Sequence, residues 1–227
     1  IPSGSRILEL NAGTGTDAAE LVRRGYFVHA TDNSPGMVTR AQEKARAPDL
    51  ENRMTVQECS FTELGNMKDG PFDAVFSNLG GLNCIADLTP VIQQLPNVLK
   101  PNGLITWVLM SPVCIWEIAE IFRGQPKLAF RRFAKNGTRT HLEGLYFTVF
   151  YFTPQQVRRW FGSDYDLVAL EGLSVLTPTA ESKNFAKRFP KLYQTLAWAD
   201  DRLATRWPWH SWGDFSSSPC VTNHEPC

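Results

Sequence analysis

The sequence has no charge imbalance and no long apolar run. Its 227 residues contain 23 Lys and Arg and 23 Asp and Glu, so the formal net charge is zero. A protein that binds nucleic acid by neutralising phosphates is usually basic, so we expect no nucleic-acid partner. No apolar run is long enough to span a bilayer and no signal peptide is visible, which predicts a cytoplasmic protein without a membrane partner.

Cysteine is also scarce. The chain has five cysteines, an odd number, and the first three lie in apolar surroundings, which predicts free thiols in a reducing compartment. Cys220, His224 and Cys227 have the spacing of metal ligands, but a zinc site needs a fourth donor, so we predict no metal. The chain opens so close to its first apolar run that we expect a trimmed N-terminus.

Apolar runs and amphipathic segments alternate in the first half of the chain. Five apolar runs predict strands at 6–10, 26–31, 54–58, 72–78 and 104–110. Segments with helical spacing separate them, and Pro96 is expected to break the helix at 87–100. Buried strands separated by helices predict a Rossmann-like, doubly wound α/β fold with a mostly parallel sheet of the seven-stranded type.

The second half departs from this pattern. After a core at 1–110, the aromatic and basic residues 111–150 predict a small cap over the carboxyl ends of the strands, with Arg131, Arg132 and Lys135 on a solvated face. Residues 151–215 are expected to complete the sheet and to include an amphipathic helix at 190–207. The polar residues 216–227 predict a flexible tail, which would leave the last edge strand short or missing.

A glycine turn joins the first predicted strand to the first predicted helix. No Lys follows its glycines, which excludes a P-loop. The spacing from Gly13 fits a dinucleotide site, with Asp32 placed to bind ribose hydroxyls, so an NAD-dependent oxidoreductase is an alternative. Glu9 and Asp17, however, put carboxylates where a pyrophosphate would lie, which favours a cationic, amino-acid-like ligand.

Residues 8–45, "LELNAGTGTDAAELVRRGYFVHATDNSPGMVTRAQEKA", resemble the first half of class I S-adenosylmethionine (SAM) dependent methyltransferases. The shared features are the acid and glycine turn, a second acid at the end of the next strand and a Ser-Pro-x-Met helix start. In addition, "FDAVFSN" at 72–78 and "LKPNG" at 99–103 lie where the family has a strand and the turn before strand five. The resemblance covers 3–110 and continues more loosely to about 207, where it is similar to the small-molecule branch. It implies in-line methyl transfer from SAM to a small-molecule acceptor, with S-adenosylhomocysteine as product. A SAM-binding module without catalysis is the other alternative.

The resemblance also implies a cofactor site. Glu9 would face the methionine amino group, and Asp32 would bind both ribose hydroxyls. The remaining members are the turn residues Asn11, Ala12, Gly13 and Gly15, the adenine-side residues Asn33, Met37, Cys59 and Ser60, and the methionine-side residues Asn78 and Leu79. Two of these depart from the family pattern: Asn11 replaces the first glycine, and Cys59 stands where an adenine-binding Asp is expected.

Catalytic residues are less strongly indicated. A general base is needed only if the acceptor is protonated at neutral pH, and the candidates are His141, Glu117 and Asn83. His29, in the middle of a predicted strand, is expected to be a core residue. The sequence predicts neither the acceptor atom nor the oligomeric state.

Overall fold

The computed structural model describes residues 1–142, 145–179, 182 and 184–222. The strands are β1 Arg6–Leu10, β2 Phe27–Asp32, β3 Met54–Glu58, β4 Phe72–Ser77, β5 Leu99–Met110, β6 Thr138–Leu142, β7 Leu145–Val149, β8 Tyr165–Leu167, β9 Glu171–Leu173 and β10 Phe215–Thr222. The α-helices are α1 Thr16–Arg23, α2 Pro35–Ala45, α3 Thr89–Ile92, α4 Leu95–Val98, α5 Ile115–Ile118, α6 Pro126–Ala129, α7 Pro154–Phe161, α8 Phe185–Arg188 and α9 Pro190–Leu203.

The main sheet has the order β3-β2-β1-β4-β5-β10-β8, and β9 also pairs with β10. Neighbours among β1 to β5 are parallel, whereas β10 is antiparallel to β5, β8 and β9. The chain order reverses between β1 and β4, and ligands of open α/β sheets bind at such a switch point, outside the carboxyl ends of the strands. The predicted Rossmann-like fold is confirmed.

Local sequence signals explain where several helices begin and end. Ser34 is the N-cap of α2 and Pro35 its first residue. The Thr153 hydroxyl accepts a hydrogen bond from the Gln156 backbone N–H, which caps α7. The segment around Pro96 is divided into α3 and α4, as expected, because a proline cannot continue the hydrogen-bonding of the preceding turn.

The core lies on both faces of the sheet. One cluster packs α1 and α2 against β1 to β4 through residues such as Ile7, Val22 and Val28. The larger cluster, on the other face, includes Phe72 and Trp107 and is covered by α3, α4 and α7. None of the helices in the described part of the chain has the length and apolar character needed to traverse a bilayer.

The expected flexible tail, with a short or missing last strand, is wrong for residues 216–222. β10 runs over Phe215–Thr222 and pairs with β5 from Phe215 opposite Met110 to Val221 opposite Leu104. Strand pairing is made by backbone groups, so a serine-rich segment can extend an edge that β5 already offers. Residues 223–227, with His224 and Cys227, lie outside the described residues.

The helix at 190–207 is also shorter and less buried than its pattern indicates. α9 ends at Leu203, and Leu192 on its apolar stripe is 49% exposed. A polar contact anchors it instead: the Asp200 carboxylate accepts hydrogen bonds from the backbone N–H groups of Leu176 and Thr177 at 2.7 and 2.9 Å.

Candidate cofactor and active site

The glycine turn lies at the switch point, between the end of β1 and the start of α1. Asn11, Gly13 and Gly15 have φ values of 55°, 55° and 69°, so the chain passes through left-handed conformations three times. A Cβ on Gly15 would meet the Met54 Cε at 2.5 Å, whereas one on Gly13 would have nothing within 4 Å. Gly15 therefore lets α1 approach its neighbours, and Gly13 leaves open space beside the turn.

Glu9 is the buried acid at the end of β1. Its side chain is 2% exposed, and its Oε2 has no hydrogen-bond partner among the described residues. Burial, followed by the nearby Asp17 carboxylate, raises the pKa of Glu9 to about 8, although the Ala18 backbone N–H acts in the opposite direction. An unpaired carboxyl at this depth fits a ligand that carries a positive charge, such as the ammonium group of a methionine moiety.

Asp32, at the end of β2, stabilises the glycine turn through hydrogen bonds. Its Oδ2 accepts a hydrogen bond from the Gly13 backbone N–H at 2.9 Å, and its Oδ1 accepts one from the Ser34 N–H at the same distance. Each carboxylate oxygen can accept a second hydrogen bond, and the side chain is only half-buried. Asp32 therefore connects the turn to α2 and keeps acceptor capacity for ligand hydroxyls.

The loop after β4 forms the other side of the crevice. The Asn78 Nδ2 donates to the Asp17 carboxylate at 2.8 Å, and the Asn11 Nδ2 donates to the Gly81 carbonyl at 2.7 Å. Leu79 has a φ of 51° and is exposed. These contacts hold the predicted methionine-side residues against the turn and against the first turn of α1.

The residues predicted to lie beside the adenine differ in how far they are exposed. Asn33 is exposed and Met37 is half-buried at the start of α2. Cys59 is buried, its thiol lies 3.5 Å from the Ser60 and Glu63 carbonyl oxygens, and burial raises its pKa. The side chain that replaces the expected Asp is therefore a neutral thiol turned into the protein, while the Cys59 backbone N–H donates to the Asp32 carbonyl.

Two of the three catalytic candidates, Asn83 and Glu117, have structural roles instead. Asn83 is fully buried: its Nδ2 donates to the Phe150 carbonyl at 2.6 Å, and its Oδ1 accepts from the Met110 N–H at 2.9 Å. These bonds fix β5 and the chain after β7, and they leave the amide no role as a base. His141 lies exposed on the β6–β7 hairpin, with its ring 4.7 Å from that of Tyr146.

Glu117 belongs to a buried ion-pair network. Arg131 donates to both of its oxygens, at 2.8 and 2.7 Å, and Arg132 donates to Oε1 at 2.5 Å. Burial opposes ionisation, but these hydrogen bonds outweigh it and hold the pKa of Glu117 below its ordinary value. A carboxylate held in this way is a poor proton acceptor, so the sequence-based catalytic role of Glu117 is not supported.

Arg132 is the centre of that network, and its predicted place on a solvated face is wrong. It is 4% exposed and also donates to the Asp214 carboxylate at 2.5 Å and to the Ser111 carbonyl at 2.9 Å. No sequence pattern could have indicated this, since Asp214 is 82 residues away. Cys114, Glu117 and Asp214 are close enough together to hold a metal ion, but the guanidinium already supplies their positive charge.

Two further expectations concern buried groups. His29 is a buried sheet residue as expected, with its Nδ1 2.7 Å from the Thr55 hydroxyl, although its Nε2 has no partner in the described structure. Cys59 and Cys114 are buried free thiols and Cys84 is an exposed one. Cys220 lies in β10, and its proposed companions His224 and Cys227 fall outside the described residues.

Comparison with known proteins agrees with this geometry. Residues 7–103 match the family described as "Methyltransferase domain". The tRNA 5-carboxymethoxyuridine methyltransferase of Escherichia coli K12 is 29% identical over 105 residues, which are 46% of this chain and 40% of that protein. The demethylmenaquinone methyltransferase of Clavibacter sepedonicus is 36% identical over 103 residues, 45% of this chain and 40% of that protein. The matched stretch thus spans two fifths of the length of these curated relatives.

The fold has a counterpart among solved structures. A SAM-dependent methyltransferase from Methanosarcina mazei superposes with a TM-score of 0.65 at 16% identity, over 99% of this chain and 95% of that chain. Residues 7–103 thus match a methyltransferase domain, and the superposition shows that the chain shares the fold of a SAM-dependent methyltransferase. The oxidoreductase alternative finds no support in these similarities.

Proposed function

We propose that this protein transfers a methyl group from SAM to a small-molecule acceptor. The observation that carries the proposal is the buried, unpaired Oε2 of Glu9 beside a turn whose Gly13 leaves open space. A ligand with an ammonium group next to ribose hydroxyls satisfies both Glu9 and the free acceptor capacity of Asp32. Bound SAM supplies a sulfonium methyl, and its demethylated product is S-adenosylhomocysteine.

In this proposal the protein contributes mainly binding and alignment. Glu9 binds the ammonium group. Asp32 accepts hydrogen bonds from the ribose hydroxyls while it holds Gly13, and the loop after β4, which carries Asn78, forms the opposite wall of the crevice. In-line displacement at a methyl carbon needs little covalent assistance, so we assign most of the rate to alignment and exclusion of water. His141 remains the proposed base for an acceptor that must lose a proton.

The first test is a thermal-shift titration with SAM, S-adenosylhomocysteine, NADH and ATP. Binding to the folded state raises the midpoint by mass action, so a rise with SAM and its product alone supports the proposed cofactor. A rise with NADH alone would instead support the oxidoreductase alternative.

The role of Glu9 has a more specific test. Glu9→Gln is expected to weaken SAM more than adenosine, because adenosine lacks the amino group. Equal losses for the two ligands, measured by calorimetry, would remove Glu9 from the proposed contact. Thr39→Ser, on the exposed face of α2, is a matched control that should leave both affinities unchanged.

The acceptor class is tested separately, with radiolabelled SAM and two acceptor pools. One pool contains small amines, phenols, thiols and carboxylates, and the other contains bulk tRNA, since the name of one relative includes tRNA. We expect label to enter the first pool only. Transfer to tRNA would overturn the small-molecule proposal, and SAM binding without any transfer would favour a binding module.

A further inference from the structure

Positive charge is concentrated in the cap. Across residues 111–150 the sequence has six Lys and Arg and three acids, Glu117, Glu120 and Glu143, in a chain whose formal net charge is zero. Three of the six cations form ion pairs with carboxylates of the same chain: Arg123 at the surface, and Arg131 and Arg132 with the buried Glu117. The other three, Lys127, Lys135 and Arg139, have no carboxylate partner in the part of the chain that the structure describes. The surface charge of the cap is therefore positive.

Large apolar side chains are exposed among these cations. Phe122 is 92% exposed, Phe130 55% and Phe133 51%. The rings of Phe130 and Phe133 are 6.2 Å apart, and the 3₁₀ turn at 119–123 packs against α6. Thr138 bonds the Arg131 carbonyl and so holds the β6–β7 hairpin beside them. We call this surface the cap face and define it by Phe122, Lys127, Phe130, Phe133, Lys135 and Arg139.

The chemistry of the cap face indicates what it can bind. Soluble surfaces rarely group several phenylalanines, and such groups mark interaction sites. Free Lys and Arg attract phosphate groups, either on a nucleic acid or on anionic lipid headgroups. Phenylalanine rings can stack on bases as well as enter a lipid layer, but the exposed Ile121 beside Phe122 is aliphatic, adds nothing to base stacking and suits acyl chains. The rings also project from separate short segments, unlike a flat stacking platform.

We propose that the cap face docks on an anionic lipid surface, with Phe122 among the acyl chains and Lys127, Lys135 and Arg139 against the headgroups. Docking of this kind needs no spanning helix, so it departs from the sequence-based expectation of no membrane partner. The proposal concerns binding alone and holds whether or not the chain transfers methyl groups.

Vesicle co-sedimentation tests the proposal on the full chain without SAM. Phosphatidylcholine vesicles with about one third phosphatidylglycerol should retain the protein, and pure phosphatidylcholine vesicles should retain far less. Phe122→Ala is expected to weaken binding about tenfold, through lost apolar contact. Lys127→Gln combined with Lys135→Gln is expected to weaken it about 30-fold and to reduce its salt dependence.

Matched controls come from the rest of the surface. Phe27→Ala removes an exposed ring at the amino end of β2, and Arg158→Gln with Arg159→Gln removes two exposed cations on α7. Both should bind vesicles like the unmodified protein. Absence of vesicle binding, equal losses in the controls, binding of tRNA in place of vesicles, or a Phe122-dependent dimer in sedimentation velocity would each overturn the proposal. Circular dichroism confirms that each variant is folded.

Discussion

Replacing Glu9 with glutamine should make the ligand-free protein more stable, and increasingly so as the pH rises. The carboxyl is 2% exposed, and its pKa is raised from 4.5 to about 8 by burial and by Asp17. In the unfolded chain the group ionises near its ordinary value, so around neutral pH folding requires it to take up a proton. The stability that protonation gives is fully present below the unfolded pKa and is lost as the pH rises through the folded pKa.

The magnitude follows from these two pKa values. Between about pH 6 and about pH 9 the titration of Glu9 should lower the free energy of unfolding by about 3 kcal/mol. The Glu9→Gln protein should show no such loss, because glutamine does not titrate. Urea unfolding of both proteins across this range gives the difference directly. A gap between the two proteins that stays constant with pH would refute the reasoning, since it would mean that Glu9 titrates normally in the folded state.

The same argument predicts proton release on cofactor binding. With a pKa of about 8, roughly nine in ten Glu9 carboxyls are protonated at pH 7, and an ammonium partner favours the ionised form. Calorimetric titration with SAM in buffers of different ionisation enthalpy should then report the release of about 0.9 proton per site near neutral pH. Release near zero with intact binding would show that Glu9 is not the partner of the ammonium group.

Three further changes have defined outcomes. Asp32→Ala should weaken SAM by a few kcal/mol, on the scale of two charge-assisted hydrogen bonds, and normal binding in calorimetry would make the site assignment wrong. Gly15→Ala should lower the melting temperature more than Gly13→Ala, because only at Gly15 would a Cβ meet Met54 and, at 3.3 Å, the Ala41 Cβ of α2. Gly13→Ala should mainly reduce SAM affinity, and equal melting temperatures would contradict the packing role. Arg132→Ala should cost about 3–5 kcal/mol in urea unfolding, because it leaves Asp214 without its cation and the buried Glu117 with Arg131 alone, and a loss under about 1 kcal/mol would contradict the structural role.

The first half of the fold could be predicted from the sequence because its signals are local. β1 and β3 have the predicted bounds, and the limits of β2 and β4 differ by one residue at most. Apolar runs, a capping position before Pro35 and the break at Pro96 all act over a few residues. The glycine turn and the two acids of the candidate cofactor site are likewise adjacent to strand ends, where their positions in the fold follow from the topology.

The parts that could not be predicted depend on distant contacts. β10 forms because β5 presents an unpaired edge, and its own serine-rich sequence gives no sign of this. The sequence offers Glu117 as a candidate base, and only the approach of Arg131 and Arg132 makes it structural. Asn83 bonds to Phe150, 67 residues further along, which no spacing rule could indicate.

The hydrogen bonds of Arg132 also set an order of events during folding. Its buried guanidinium needs the carboxylate of Asp214, and the backbone around Asp214 leads directly into β10. A chain emerging from the ribosome can form β1 to β5 and the cofactor crevice while this arginine still lacks one of its two carboxylates. We therefore expect the segment around Arg132 to become fully ordered only when β10 pairs with β5, after the first five strands can already have formed.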